Sequence, residues 1–249
     1  MFLFGSGQLF GKRTDVANPT PVQFGTMQDV QVDFDRTLKE LYGQYQYPEA
    51  IGAAMVKISG KAKFAKINGQ VMTNLFFSDT LGTGMRQFTP LGEAHPIPAT
   101  PFQVTVTNAA DFLSDFGVYF TATGVQLTRV ASSPTTGQYA VNESTGVYTF
   151  AAADTLLAVT IYYEYEVATG KSITITNQLQ GTAPTFQCIL RNSYPAGSAA
   201  EKSATLQLNA CIAGKLSMPM KQGDFTIVEM DFQAFTDASN VLGYFGFTE

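Results

Sequence analysis

The chain contains no tryptophan, a single histidine and two cysteines in 249 residues. Two cysteines, Cys188 and Cys211, make no disulfide framework at this length. Their parities on successive candidate strands turn Cys188 to the core and Cys211 to the opposite face, so two free thiols are expected, with a cross-link between subunits as the alternative. The sole histidine, His95, sits among prolines without a visible nucleophile to activate, and reads as an ordinary loop residue. Charge is sparse, 14% of residues with a formal net of −5. A concentrated basic patch is missing, which excludes tight phosphate binding. The one local basic run, Lys57, Lys61, Lys63 and Lys66, reads as a solvated strand face. No apolar run is long enough to span a bilayer. The apolar start is broken by Gly5, Ser6 and Gly7, and Lys12 and Arg13 follow it rather than precede it, which is the wrong order for a signal peptide. No membrane anchor is expected, and folding in a cytoplasm is. Gly5-Ser6-Gly7 is too short for a phosphate loop, and Gly82-Thr83-Gly84 lacks the rest of a dinucleotide fingerprint. The carboxylates Asp29, Asp33, Asp35, Glu229 and Asp231 are accounted for by alternation along wet strands. No enzyme, cofactor or metal site is expected.

What the chain does have is Thr, Val, Phe, Tyr, Gly and Ser in short runs separated by turn residues, the pattern of a sandwich or barrel. Its length allows one all-β domain or a domain with an insertion. The most informative stretch is residues 22–76. Phe24, Val30, Val32 and Phe34 alternate with Gln23, Asp29, Gln31, Asp33 and Asp35. Further on, Ala54, Val56, Ile58, Ala62 and Phe64 alternate with Lys57, Ser59, Lys61 and Lys63. Both are strand periodicities. Laid antiparallel as a long hairpin, one register sets Val32 beside Ile58, Phe34 beside Val56, Asp33 beside Lys57 and Asp29 beside Lys61. Ile67, Val71, Met72, Leu75 and Phe76 then recur at helical spacing, with Asn68 as a candidate cap.

The order of these elements is similar to that of bacteriophage tail tube proteins. So are the strings Phe24-Gly25-Thr26-Met27-Gln28-Asp29-Val30, Lys39-Glu40-Leu41-Tyr42-Gly43 and Ile58-Ser59-Gly60-Lys61-Ala62-Lys63-Phe64. The likeness resumes at Gly181-Thr182-Ala183-Pro184-Thr185-Phe186 and Lys221-Gln222-Gly223-Asp224-Phe225. The resemblance implies a tail-tube-type β-barrel or sandwich with one flanking α-helix, built into homo-hexameric rings that stack into a tube. It also implies a tape-measure protein, a tail terminator and a baseplate as partners, and a virion tail assembled in the host cytoplasm. A sheath would surround the tube in a contractile tail and be missing from a flexible one. Double-stranded DNA would pass through without specific binding. Four strands per subunit in a six-fold ring give a barrel roughly 45–50 Å across. Under this resemblance the lumen-facing residues are Asp29, Gln31, Asp33, Lys57, Ser59, Lys61, Gln187, Arg191, Thr205, Gln207 and Asn209. Cations and anions are matched there, so the sign of the lumen potential stays open.

The remaining segments have plainer readings. Residues 2–21 show no clean period and read as an arm that drapes over a neighbour or stays disordered. Residues 37–52 read as a long loop. By resemblance, its Leu41, Tyr42, Tyr45, Tyr47 and Pro48 contact adjacent subunits or rings; the alternative folds the loop back on its own barrel. Residues 81–101 gather Gly and Pro and read as a linker. Candidate strands at 102–107, 117–121, 126–130, 138–141, 147–150 and 157–167 form an inserted small β-sandwich on the outside of the main domain. The expected division is 1–98 and 169–249 for the tube domain and 99–168 for the insertion. A second hairpin pairs 185–194 with 203–212 across a small-residue turn at 195–200, and a strand at 225–235 closes the core as an outer sheet. The Gly- and Phe-rich tail ends exposed or at an interface. A competing class is a sugar- or receptor-binding β-module of a fibre or adhesin, with Tyr119, Tyr139, Tyr148, Tyr162 and Tyr163 as platform residues; the missing tryptophan counts against it.

Overall fold

The structure is a computed structural model describing residues 5–66, 68–194 and 202–248. In chain order the strands are β1 Gln8–Arg13, β2 Val22–Gln23, β3 Met27–Tyr42 and β4 Pro48–Phe64, followed by helix α1 Gly69–Met72 and a π-helical turn Thr73–Phe77. Then come β5 Leu81–Phe88, β6 Glu93–Pro96, β7 Gln103–Thr105, β8 Phe112–Phe120, β9 Thr128–Arg129, β10 Gln138–Asn142, β11 Val147–Phe150 and β12 Ala158–Ile173. β13 Thr185–Tyr194, β14 Lys202–Ser217, β15 Val228–Phe235 and β16 Gly243–Phe247 complete the chain. It divides into two compact units: Gly82–Ser172, and the residues before and after it.

The first unit is built on one eight-stranded sheet ordered β2-β1-β13-β14-β15-β4-β3, with β16 also on β14. The sheet is open and does not close into a barrel. Its apolar face carries Leu9, Ile58, Ala62, Phe64, Phe186, Cys188, Leu208, Cys211, Val228, Met230 and Phe232, all buried in one cluster. Val71, Met72 and Leu75 of the helical segment belong to the same cluster. The expected cap is present: Asn68 Oδ1 accepts from the Gln70 amide at 3.0 Å. Thr73 Oγ1 bonds back to Gly69 O at 3.0 Å. Ile67 lies outside the described residues, as does the turn at 195–200.

Several expectations are corrected here. The arm is partly a strand, since β1 pairs along β13 and buries Leu9. The tail is exposed as expected at Tyr244, Phe245 and Phe247, and it adds β16, paired to the first half of β14. β15 is no separate outer sheet: it lies between β14 and β4 and joins the two hairpins. A bulge between Phe186 and Cys188 sets Phe186 opposite Cys211 and Cys188 opposite Leu208, which turns Cys211 into the core rather than to the other face. Both thiols are free and buried. A hydrogen bond with Cys211, then burial, pushes the Cys188 thiol well above its ordinary value.

In the second unit, sheet β7-β11-β10-β9 and a sheet in which β12 pairs with β5, β6 and β8 enclose a separate core. Val159, Ile161 and Tyr163 of β12 enter that core, and Tyr165 packs at its margin. The stretch read as a linker contains β5 and β6, which pair with β12, so this unit begins at Gly82 where the sequence suggests 99.

Candidate functional site

Residues paired across an antiparallel ladder share a face. Opposite the apolar face of the first unit's sheet, the register therefore lines up polar rows. One row runs Lys215, Asp231, Lys61, Gln31; the next runs Ser217, Glu229, Lys63, Asp29; a third carries Gln233, Ser59 and Asp33; Asp35 and Lys57 make a fourth. On the other arm of the sheet Arg191 stands opposite Thr205 and Ile189 opposite Gln207. Gln207 Nε2 donates to Asn209 Oδ1 at 3.2 Å, and Asn209 Nδ2 to Asp237 Oδ2 at 2.8 Å. Gln187 stands opposite Lys12. Alternation along each strand puts these eleven residues, expected from the sequence to face a lumen, on the non-core side of one sheet.

The pairing within that face differs from the expected register by two residues. Phe34 stands opposite Ile58 and Val32 opposite Gly60, while Asp33 faces Ser59, Asp35 faces Lys57 and Asp29 faces Lys63. A slip of two leaves every side chain on its own face, so alternation cannot distinguish the two registers. What separates them is β15, which the hairpin alone does not reveal. With β15 on the far edge of β4, Lys61 Nζ meets Glu229 Oε1 at 2.5 Å, Lys215 approaches the same carboxylate at 3.8 Å, and Lys63 lies 3.8 Å from Asp29. The hydrogen bond from Lys61, with attraction from Lys215 and Lys63, outweighs desolvation and holds Glu229 below the ordinary carboxylate value. Lys61 is raised by the same bond. Lys63, Lys215, Glu229 and Asp231 thus belong to this face; alternation alone puts Lys63, Glu229 and Asp231 on wet strand faces, and what it does not give is that β15 shares this sheet with β4 and β14. Of the four, Lys215 alone escapes the sequence reading, because the irregularity between Ala213 and Lys215 breaks the alternation of β14.

The second feature is the hairpin's outer half. The sequence suggests a loop from 37 to 52, whereas the ladder continues through Leu38↔Ala53, Lys39↔Gly52, Glu40↔Ile51 and Leu41↔Ala50 to Tyr42↔Pro48. Leu41, Tyr42 and Pro48 are therefore strand residues, and Tyr45 and Tyr47 sit at the tip. From Asp33 to Lys57 every residue but the half-buried Pro48 is exposed. That includes Phe34, Leu38, Leu41, Ile51 and Val56, with Met55 at 73% and Tyr47 at 82% exposure. A two-stranded ribbon wet on both sides is marginal by itself. Apolar surface on this scale is uncommon on a free monomer. Beside its base, Phe34, Ile58, Leu206, Leu208, Leu242, Tyr244 and Phe245 line an apolar groove of about 280 Å³.

In the second unit Glu93 and Asp115 are engaged by its own side chains. His95 is a strand residue rather than a loop residue, and its Nε2 lies 2.5 Å from Glu93 Oε1. Glu93 also accepts from the Thr107 amide at 2.9 Å, Thr107 Oγ1 at 2.7 Å and Tyr163 Oη at 2.7 Å. Desolvation alone would raise Glu93, but these bonds from Tyr163, Thr107 and His95 prevail and lower it. Asp115, its side chain 3% exposed, accepts from Tyr139 Oη at 2.7 Å and Tyr148 Oη at 2.9 Å. The five-tyrosine platform is accordingly corrected: Tyr139, Tyr148 and Tyr163 are core residues, and Tyr119 and Tyr162 alone of the five lie outside it. Among the described residues no three His, Cys, Asp or Glu side chains converge as metal ligands, and no helix is long and apolar enough to cross a membrane.

Comparison with models of protein families and with curated proteins gives no match for this chain.

Proposed function

We propose that this chain is a structural, non-enzymatic subunit that associates with its own copies into stacked hexameric rings, forming the tail tube of a bacteriophage and the conduit for DNA leaving the virion. The observation that carries this reading is β3. It ends an open sheet, so among the described residues its outer edge has no partner over Met27–Tyr42, and it leads into a ribbon exposed on both faces. Long unpaired edges are templates for strand addition. A neighbour's edge strand would satisfy this one, and the same contact repeated around an axis closes a ring. The ribbon would then contact the adjacent subunit or the next ring through Leu41, Tyr42, Tyr45, Tyr47 and Pro48.

The polar face supports the same reading. A wall along which duplex DNA slides must bind it weakly. On this face Lys61 is matched to Glu229 and Lys63 to Asp29, among the neutral Gln31, Ser59, Gln187, Thr205, Gln207 and Asn209. Paired charges project little net field, so phosphates meet no sustained cationic track. The tape-measure protein, tail terminator and baseplate are the partners this role requires, with a sheath only in a contractile tail.

The test is negative-stain microscopy of the purified chain, with sedimentation across a concentration series. Hollow rings or tubes are expected. A monodisperse monomer at all concentrations would sink the proposal.

A further inference from the structure

We propose that the second unit carries a binding site for neutral saccharides, formed by Phe116, Tyr119, Phe120 and Tyr162 with the hydroxyls of Thr121 and Thr160. These residues, with Gly124, line a solvent-open cleft of about 510 Å³. On β8 and β12 the core positions are Val118, Val159, Ile161 and Tyr163. Tyr119, paired to Thr160, and Tyr162, paired to Gly117, take the other face. Their rings meet edge to face, with centroids 5.6 Å apart at 89°. The hydroxyls of Thr121 and Thr160 are 2.9 Å apart at the same cleft.

The backbone is arranged to complete this surface. Between Tyr162 and Tyr163 the β8 register steps from Gly117 to Asp115, leaving Phe116 as the extra, unpaired residue with 53% of it exposed. Gly117 adopts φ 110°, which side-chain-bearing residues rarely do. Its amide is held by buried Asp115 at 3.0 Å, the carboxylate that also takes the Tyr139 and Tyr148 hydroxyls. A bulge anchored from the core thus turns a phenyl ring out beside two tyrosines, and bulges re-aim side chains in this way next to binding sites.

The lining selects the ligand class. It carries no formal charge, so an anion finds no counter-charge there. Its openness prevents burial of most of an apolar ligand's surface, which pockets for such ligands provide. A pyranose fits both conditions: the C–H bonds of one face pack against the electron-rich face of an aromatic ring, and its hydroxyl rim reaches the Tyr and Thr hydroxyls and water. The inference stands apart from the tube proposal, since a chain that assembles need not bind sugar, and the reverse.

The experiment uses the 249-residue chain on an array of neutral hexose and N-acetylhexosamine oligomers, with sialylated and sulfated glycans as charged controls. Hits are titrated by tyrosine fluorescence, which no tryptophan obscures. Binding to neutral glycans is expected, weakened about tenfold or more by Tyr119→Ala and by Tyr162→Ala. Leu179→Ala, exposed in the first unit, is expected to bind as the parent does. Should a tyrosine variant fail to fold by circular dichroism, Phe116→Ala, whose ring is exposed, carries the same test. No neutral glycan bound, binding confined to charged glycans, or affinity unchanged in the variants would each overturn the proposal.

Discussion

The ring of Phe232 on β15 lies over Gly60 on β4, filling the space that a side chain at residue 60 would need. This contact sits where the two hairpins of the first unit become one sheet. Val32 continues the same row on β3 and Ala213 on β14. The missing side chain at residue 60 is what lets a buried phenylalanine seat there, and both residues are buried.

Gly60→Ala should therefore lower stability by about 1–3 kcal/mol, the usual cost of overpacking a filled core. Urea unfolding of the unassembled chain measures it. An unchanged midpoint would mean that the Phe232 ring can move aside freely.

Acid should weaken this same joint. Glu229 lies below its ordinary value of 4.5 because Lys61 donates to it. A depressed folded-state value means that the pair stabilises the fold above that ordinary value, and that this contribution is lost as pH falls through the folded one. The melting temperature should drop as pH falls below 4.5, and less steeply in Lys61→Met, which keeps only the longer approach of Lys215 to that carboxylate. Equal slopes for the two proteins would remove Lys61 from this role.

In the second unit, Asp115→Ala leaves the hydroxyls of Tyr139 and Tyr148 without their acceptor inside a core. A loss of about 2–4 kcal/mol is expected, since each buried unsatisfied group costs on the order of 1–3 kcal/mol. The same geometry sets an alkaline limit. Burial first, and Asp115 second, raise both phenols above the ordinary value of 10.0. Their stabilisation is complete below that value and is lost as pH rises through the folded-state values. Tyrosinate absorbance should show both groups titrating only as the unit unfolds. Normal titration in the folded chain would contradict the buried arrangement.

How much of this was legible in the sequence depends on what each signal can discriminate. The faces of β4, β13, β14, β15 and the inner half of β3 were readable, because one side of each is buried, or half-buried at Val30 and Val32 of β3, and period-2 alternation survives. The register was not, since a slip of two preserves every face and the deciding partner, Glu229, arrives from a distant strand. Cys211 was misplaced because a bulge, not a residue type, resets its parity. β1 and β16 lack alternation over enough residues to register as strands, and β5 and β6 are interrupted by Gly and Pro. The outer hairpin was taken for a loop because with both faces wet there is no buried side to impose a pattern.

That outer ribbon gives the last prediction. Arg36 and Val56 are paired, so residues 37–55 can be replaced by Asn-Gly, the two-residue turn that matches strand twist. None of the removed residues is buried. The shortened chain should therefore unfold at nearly the same urea concentration, with its core intact. Assembly is another matter, because the excision takes away Leu38, Leu41, Tyr42, Tyr45, Tyr47, Ile51 and Met55, the apolar surface that no other described part of the chain covers. Sedimentation should find subunits where the parent chain gives rings or tubes. If the shortened chain polymerises as readily as the parent, the ribbon is not what joins the copies, and the unpaired edge of β3 nearer the core must do so without it.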